Sequence, residues 1–165
     1  MAITKILYRN GGLRQAIDYI TNPAKTNEQL LTDYVRCDPG YAAQQMMDTK
    51  RALGKTAGRQ CYHIIQSFKP DEITPELAHE IARQFAAEHL LGDEAVIATH
   101  VDKAHIHSHI VFNSVNAVTG KMYHSTCENY YRQICGVSDR LCKAHGLSIV
   151  LENGEKKTVS YAEWL

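Results

Sequence analysis

The chain has 165 residues, 44% of them hydrophobic and 22% charged, and its 18 basic and 18 acidic side chains cancel. This length and composition suit one globular domain with a real core, and they exclude a disordered or fibrous chain. The sequence has no apolar run of membrane-spanning length and no signal-peptide pattern at its start. We therefore expect a cytoplasmic protein without membrane insertion. The five cysteines form no CxxC pair, which predicts free thiols rather than a disulfide framework.

Periodicity and turn residues predict the order β-α-β-α-β-α-β-β-α. The predicted strands cover residues 2–8, 30–37, 60–68, 95–101 and 107–115. The predicted helices cover residues 13–21, 41–53, 75–90 and 127–145. Thr74 before Pro75 is typical of a helix start, and Gly146 is typical of a helix end. The fold class that follows is an α+β sandwich of two or three layers, in which a mostly antiparallel sheet is flanked by helices.

Charge and domain organisation can also be read along the chain. Residues 1–69 carry a net charge of +5, residues 70–100 carry −6 and residues 101–165 carry +1. A surface that binds DNA would therefore come mainly from the first segment, although an unevenly charged solvated surface explains the pattern equally well. We expect one catalytic domain over residues 1–150. The charged residues 151–165 would begin a C-terminal extension that this chain cuts short.

The clearest chemical signal is a cluster of histidines around a predicted hairpin, where four of the nine histidines fall within ten residues. His107 and His109 share one face of a strand, about 7 Å apart. If the hairpin turns at Lys103-Ala104, His100 lies opposite His107, with Cβ atoms about 5 Å apart. Three imidazoles on one face predict a metal site with open positions for substrate, as in catalytic rather than closed structural sites.

Other residues of the hairpin leave choices open. His105 has the strand parity of His107 and His109, so it is an alternative ligand, but it lies at the edge of the turn, where its direction is least constrained. Asp102 could orient a ligand histidine or help to take a proton. Asn113 lies two pleats beyond His109 on the same face and could reach a phosphate.

The pattern H-x-D-x4-H-x-H-x3-N, which runs from His100 to Asn113, resembles the histidine motif of plasmid-mobilisation relaxases of the MobA/VirD2 type. These relaxases belong to the wider HUH endonuclease superfamily. Two further motifs match in order along the chain: Tyr19 in Ala-Ile-Asp-Tyr-Ile resembles the motif of the nucleophilic tyrosine, and Ser67 resembles the family's serine after a hydrophobic strand. The additional His105 is not part of the family pattern.

The resemblance implies a five-stranded antiparallel palm and a metal-dependent nuclease. Its substrate would be single-stranded DNA at an origin of transfer, which it would cut at one site on one strand. Tyr19 would attack the phosphate and remain joined to the 5′ end, leaving a free 3′ hydroxyl. Mn²⁺ or Mg²⁺ would be the functional ion, although imidazole ligands bind Zn²⁺, Ni²⁺ or Co²⁺ more tightly. Accessory relaxosome proteins and a coupling protein, reached through a further C-terminal region, are the implied partners.

A phenol with a pKa near 10 needs a base or a nearby cation before it attacks at neutral pH. Tyr19 is predicted to lie at the rim of the first helix, and other tyrosines remain in reserve for the same role. Charged side chains and an aromatic platform would hold a single DNA strand. The candidates for DNA binding are Arg9, Arg14, Arg59, Lys69, Asn113, Lys121 and Tyr123.

Other classes of function are compatible with the same residues. A hydrolytic enzyme with a three-histidine metal site would cut DNA without any covalent intermediate. A DNA-binding module with a structural metal would not cut at all. A rolling-circle replication initiator or a transposase of the same superfamily usually carries its tyrosine downstream of the histidines, whereas Tyr19 precedes them.

Overall fold

The computed structural model describes residues 2–27 and 31–147, and the elements follow the predicted order. The strands are β1 (Ala2–Arg9), β2 (Thr32–Val35), β3 (Cys61–Phe68), β4 (Ala95–His100) and β5 (His107–Asn113). The helices are α1 (Leu13–Ile20), α2 (Ala42–Ala52), α3 (Pro75–His89) and α4 (Gly136–Ala144), and a π-helix (Asn129–Cys135) precedes α4. The predicted extension over 151–165 lies outside the described residues.

The five strands form one sheet in the order β1-β3-β5-β4-β2, and all four pairings are antiparallel. This confirms the predicted fold class. Helices α1 and α2 pack on one face of the sheet, over Cys61, Val96, Ala98 and Val111. Helices α3 and α4 cover the other face, with Phe85, Ile110 and Phe112 fully buried between them and the sheet. The molecule therefore has three layers.

Local sequence explains why α1 and α3 form where they do. Helix α1 buries Leu13, Ala16, Ile17 and Ile20 on one side, which is the periodicity of an amphipathic helix. At the start of α3, the Thr74 hydroxyl accepts a hydrogen bond from the Leu77 N–H at 3.2 Å. No helix of the described residues is long and apolar enough to cross a membrane.

Some element boundaries differ from the sequence prediction, and β5, for example, ends at Asn113 rather than at residue 115. Strand β2 ends at Val35 rather than at residue 37, because Arg36 adopts a positive φ of 55° that a strand does not tolerate. The last helix begins as a π-helix rather than as one continuous α-helix. Hydrophobic periodicity does not reveal such a widened turn, since it adds only one residue to a turn of helix. The predicted end of that helix is confirmed, since Gly146 follows it with a φ of 73°.

Candidate metal centre and nucleophile

The β4–β5 hairpin has the predicted register, with His100 directly opposite His107. His109 lies one pleat further along β5, opposite Ala98. The ring centroids of His100 and His109 are 4.1 Å apart, and those of His107 and His109 are 6.3 Å apart. Three imidazoles thus share one patch on the sheet face that α1 and α2 cover in part. We call this side of the sheet the histidine face.

Hydrogen bonds orient two of these rings. His100 Nε2 lies 2.9 Å from the carbonyl oxygen of Ile20, so it carries the proton and donates. His109 Nδ1 lies 2.8 Å from His63 Nε2. Histidines that bind metals usually engage their second nitrogen in this way, which sets both the tautomer and the direction of the ring. The nitrogens left to face an ion are Nδ1 of His100 and Nε2 of His109.

Burial keeps these imidazoles neutral. It lowers the pKa of His100, of His107 and, most strongly, of His109, whose pKa is lowered further by neighbouring histidines. Burial likewise lowers the pKa of His63 to about 4. A neutral imidazole has the lone pair that a metal requires, so at neutral pH the cluster is in its ligating form.

The donor set fits a divalent ion, although the rings as placed do not all reach one point. Three imidazoles that share an ion at about 2.1 Å have centroids roughly 5 Å apart. The observed separations of 4.1 and 6.3 Å lie on either side of that value. Among the described residues, no three His, Cys, Asp or Glu side chains are placed to contact one ion together. Binding therefore requires the rings to rotate within the patch.

Sequence reasoning missed His63, which contributes the fourth imidazole of this cluster. It lies on β3 opposite Val111, diagonally across from His109. Strand parity could have shown that His63 shares a face with Ser67. It could not have shown that β3 is the neighbour of β5, because that pairing joins residues far apart in the chain.

Tyr19 lies beside the histidine cluster. Its ring meets that of His100 edge-on at 5.7 Å between centroids and that of His109 at 6.3 Å. Helix α1 buries its apolar side, and Tyr19 is 51% exposed at the rim. The hydroxyl groups of Tyr62, Tyr123 and Tyr130 instead make hydrogen bonds to groups outside this cluster. Of these tyrosines, Tyr19 is therefore the one in ring contact with the cluster.

The register also places Ser67 in the site. It pairs with His107 on one side and with Ile3 on the other, so Ile3, Ser67, His107 and His100 form one row across four strands. Residues in one row of an antiparallel sheet share a face. Ser67 is thus the nearest β3 side chain in line with two of the predicted ligands.

Asp102 and His105 occupy the loop of the hairpin. The Asp102 carboxylate forms an ion pair with Lys25 at 3.2 Å. The groups that orient the ligand rings are instead the Ile20 carbonyl and His63, so the predicted orienting role of Asp102 does not match its contacts. His105 precedes β5, and its ring centroid lies 6.2 Å from that of His107.

The predicted DNA contacts divide into two groups. Lys69 is exposed just beyond the end of β3. It lies near the start of β5, because the N–H of the preceding Phe68 donates to the Ile106 carbonyl at 3.0 Å. Arg9 is exposed at the far end of β1, with the strand parity of the histidine face, and Arg14 is exposed on α1. All three of these cations are exposed to solvent.

The other predicted contacts lie elsewhere. Asn113 is fully buried, and its amide donates to the Met46 carbonyl and to Glu94. Arg59 stacks on the Tyr8 ring at 3.8 Å, and Tyr8 has the parity of the opposite face. Tyr123 packs against Tyr62 and Phe112 in the core of that face. Lys121 lines a cavity of about 260 Å³ together with Tyr123. These four positions are not brought together with His100, His107 and His109.

Lys5 is a cation that the sequence reasoning overlooked. It lies on the edge strand β1 opposite Ile65, which in turn pairs with His109. Lys5, Ile65 and His109 thus form a row on the histidine face. Helix α3, whose sequence carries Glu76, Glu80 and Glu88, packs on the opposite face through its apolar residues.

The sequence and the fold of this chain resemble those of known relaxases. The family described as "Relaxase: MobA/VirD2-like, nuclease domain" matches residues 19–147. A relative named Protein rlx from Staphylococcus aureus is 34% identical over 163 residues, which cover 99% of this chain and 50% of that protein. The group II intron-interrupted relaxase LtrB of Lactococcus lactis is 30% identical over 194 residues, covering 92% of this chain and 34% of that protein. The chain therefore spans 50% of the length of Protein rlx and 34% of the length of LtrB.

A solved structure of the MobM relaxase domain, Mn-bound and in complex with plasmid oriT DNA, superimposes with a TM-score of 0.66 at 16% identity. The superposition covers 99% of this chain and 96% of that one, so the two share a fold. The family match includes Tyr19, Ser67 and the whole histidine hairpin. This protein belongs to the MobA/VirD2-like relaxases and contains the nuclease domain of that family.

Proposed function

We propose that this domain nicks single-stranded origin-of-transfer DNA at one site and on one strand, and so initiates conjugative transfer or mobilisation. The observation that carries the proposal is the contact of the Tyr19 ring with both His100 and His109. A phenol beside three neighbouring imidazoles joins a nucleophile to a site for a Lewis acid. The family match over residues 19–147 supports DNA as the substrate.

In the proposed reaction, Tyr19 Oη attacks the scissile phosphorus in line with the leaving 3′ oxygen. The new O–P bond forms as the P–O3′ bond breaks, the phenolic proton passes to solvent and the 3′ oxygen takes up a proton. The products are a 5′-phosphotyrosine and a free 3′ hydroxyl. Because the number of phosphoester bonds is unchanged, the strand can be rejoined later.

His100, His107 and His109 would hold one divalent ion, Mn²⁺ or Mg²⁺ in function, although Zn²⁺, Ni²⁺ or Co²⁺ could be the ion found bound. When bound, the ion supplies Lewis-acid stabilisation of the phosphate's negative charge. His63 Nε2 would accept a hydrogen bond from the Nδ1–H of His109, which would direct His109 Nε2 toward that site. Ser67, in line with His107, would donate a hydrogen bond from its hydroxyl to a phosphate oxygen.

The DNA strand would follow the cations of the histidine face. Lys5, Arg9 and Lys69 belong to β1 or to the end of β3, and Arg14 is exposed on α1. Single strands bind such charged grooves without much dependence on sequence, so these cations supply affinity rather than choice of site. We place the reaction in the cytoplasm, where plasmid DNA is found, with relaxosome proteins and a coupling protein as further partners.

The test uses tiled single-stranded oligonucleotides that cover the DNA flanking the protein's own gene, each labelled at its 5′ or its 3′ end. After incubation with Mn²⁺, denaturing electrophoresis should show a covalent adduct that retains only the 3′ label. Peptide mapping should locate the adduct at Tyr19, and Tyr19→Phe should abolish it. The ring's packing is nearly unchanged in that variant, so the free energy of unfolding should stay within about 0.5 kcal/mol.

The other classes of function give different results in the same experiment. Cleavage without an adduct, unaffected by Tyr19→Phe, would indicate a hydrolytic metalloenzyme. Binding without cleavage would indicate a DNA-binding module. An adduct that maps to another tyrosine would move the nucleophile to that residue. A replication initiator or transposase would show the same chemistry on an origin of replication or on a transposon end.

A further inference from the structure

Lys25 lies beside the proposed nucleophile in the loop that follows α1. Its backbone is fixed at two points: its N–H donates to the Asn22 carbonyl at 3.0 Å, and its carbonyl accepts from the Val101 N–H at 2.7 Å. Val101 directly follows the predicted ligand His100. The loop is therefore attached to the end of β4, and the start of the Lys25 side chain is held next to the histidine cluster.

The ammonium group of Lys25 lies between Tyr19 and Asp102. Its Nζ is 5.0 Å from the centre of the Tyr19 ring and 3.2 Å from Asp102 Oδ2. The hydrogen bond with Asp102 raises the pKa of Lys25, and the Tyr19 side chain raises it further. Lys25 is therefore a fixed positive charge that Asp102 keeps in place.

A fixed cation at this position has a specific use in the reaction. As the phenol attacks, negative charge develops on the tyrosine oxygen and on the phosphate. Charges aimed in advance at such sites stabilise the transition state without reorganisation. An ion held by the three histidines would act on the phosphate, whereas Lys25 Nζ lies 5.0 Å from the centre of the Tyr19 ring, where it can act on the phenol.

We propose that Lys25 is a catalytic cation that stabilises the charge developing on Tyr19 Oη during attack, and that Asp102 is the positioning residue that holds it there. This inference rests on the proposed role of Tyr19 as the nucleophile. It gives Asp102 a different task from the one expected from sequence, since Asp102 acts through Lys25 rather than through a ligand histidine.

The opposing interpretation is a structural one, in which the Lys25–Asp102 pair only fastens the loop. Both side chains are about a quarter exposed, at 23% and 28%, and such a pair adds little to stability. The two roles separate experimentally, because Lys25→Met keeps the aliphatic stem and removes the charge, whereas Lys25→Arg keeps the charge. Lys143→Met, on the exposed side of α4, removes one surface cation far from the site and serves as the matched control.

The experiment uses an intact oligonucleotide from the tiled set that the protein is found to nick. It measures the single-turnover rate of adduct formation at saturating protein and Mn²⁺. Lys25→Met should lower this rate on the order of ten- to a hundredfold. This is less than the loss expected when a fully buried hydrogen-bond donor is removed from an active site. Lys25→Arg should recover most of the rate, and Asp102→Asn should lower it less than Lys25→Met does. Mn²⁺ affinity, measured by calorimetry, and DNA affinity, measured by anisotropy, should change less than about threefold. A change of that size is what removal of one surface cation is expected to cause.

Each outcome has a defined meaning. Equal adduct rates for Lys25→Met and Lys143→Met, while Tyr19→Phe forms no adduct, would overturn the Lys25 inference and leave the proposed function intact. A fall in DNA affinity as large as the fall in rate would make Lys25 a binding residue and would also overturn the inference. An adduct that survives Tyr19→Phe would instead remove the proposed nucleophile itself. Loss of rate in Lys25→Met with rescue by Lys25→Arg supports the inference.

Discussion

His63 Nε2 on β3 lies 2.8 Å from His109 Nδ1 on β5. For His109 to bind an ion through Nε2, its Nδ1 must carry the proton, so His63 must act as the acceptor. A buried histidine with a pKa of about 4 is neutral and can accept at physiological pH. The link between these two residues would therefore determine which nitrogen of His109 faces a bound ion.

We predict that His63→Ala lowers Mn²⁺ affinity about tenfold to a hundredfold, as loss of such a hydrogen bond to a ligand usually does. His63→Gln should recover part of the affinity, because its amide oxygen can accept the same proton. Calorimetric titration with Mn²⁺ checks both variants, with His124→Ala at an exposed position as the control. Unchanged affinity in His63→Ala would mean that the bond does not orient the ligand.

A second prediction concerns the identity of the ligands. His100→Ala, His107→Ala and His109→Ala should each lower metal affinity by more than about a hundredfold, since each removes one of only three protein donors. His105→Ala should have a smaller effect, because His105 lies before β5 and outside the paired register. The same titration measures all four variants. A larger loss in His105→Ala than in His100→Ala would show that the other triad binds the ion.

A third prediction concerns removal of the metal. Chelation should abolish nicking, and added Mn²⁺ or Mg²⁺ should restore it, because no protein cation among the histidines can replace a divalent charge on the phosphate. The measurement is adduct formation before and after dialysis against a chelator, with metal content determined in parallel. Full nicking in a preparation verified to be free of metal would contradict the assigned role of the three histidines.

A fourth prediction follows from the lowered histidine pKa values. The pKa of His63 is 6.5 in the unfolded chain and about 4 in the folded protein, so between these values the unfolded state binds more protons. Its contribution to stability is complete above pH 6.5 and is lost as the pH falls toward 4. For His63 alone the loss is about 3 kcal/mol. Urea unfolding of the metal-free protein across this range should show it, and His63→Gln should flatten the dependence.

A fifth prediction separates structure from DNA binding at Asn113. Its amide bonds the Met46 carbonyl at 3.0 Å and Glu94 at 3.1 Å inside the protein. Asn113→Ala should therefore lower the free energy of unfolding by about 1–3 kcal/mol, while the DNA affinity of the folded fraction stays the same. Thermal unfolding and fluorescence anisotropy measure the two effects. A specific loss of DNA affinity in a variant of normal stability would restore Asn113 as a DNA contact.

Periodicity alone was enough to predict the order of the elements and the register of the β4–β5 hairpin, because both depend on residues close together in the chain. His100, His107 and His109 could be placed on one face since a strand alternates its side chains and a short loop allows few registers. The same local reasoning placed Tyr19 at the rim of α1. The family motif then indicated the chemistry of these residues.

Only the tertiary structure decided which strands are neighbours and which loops meet. The β3–β5 pairing brings His63 to His109, and the attachment of the loop after α1 to Val101 brings Lys25 to Asp102. These contacts join residues some tens of positions apart, and no local pattern encodes them. The same limit explains Asn113, Arg59 and Tyr123, whose residue types suggested DNA binding but whose side chains pack within or across the sheet. Residue type indicates what a side chain can do, whereas packing decides what it meets.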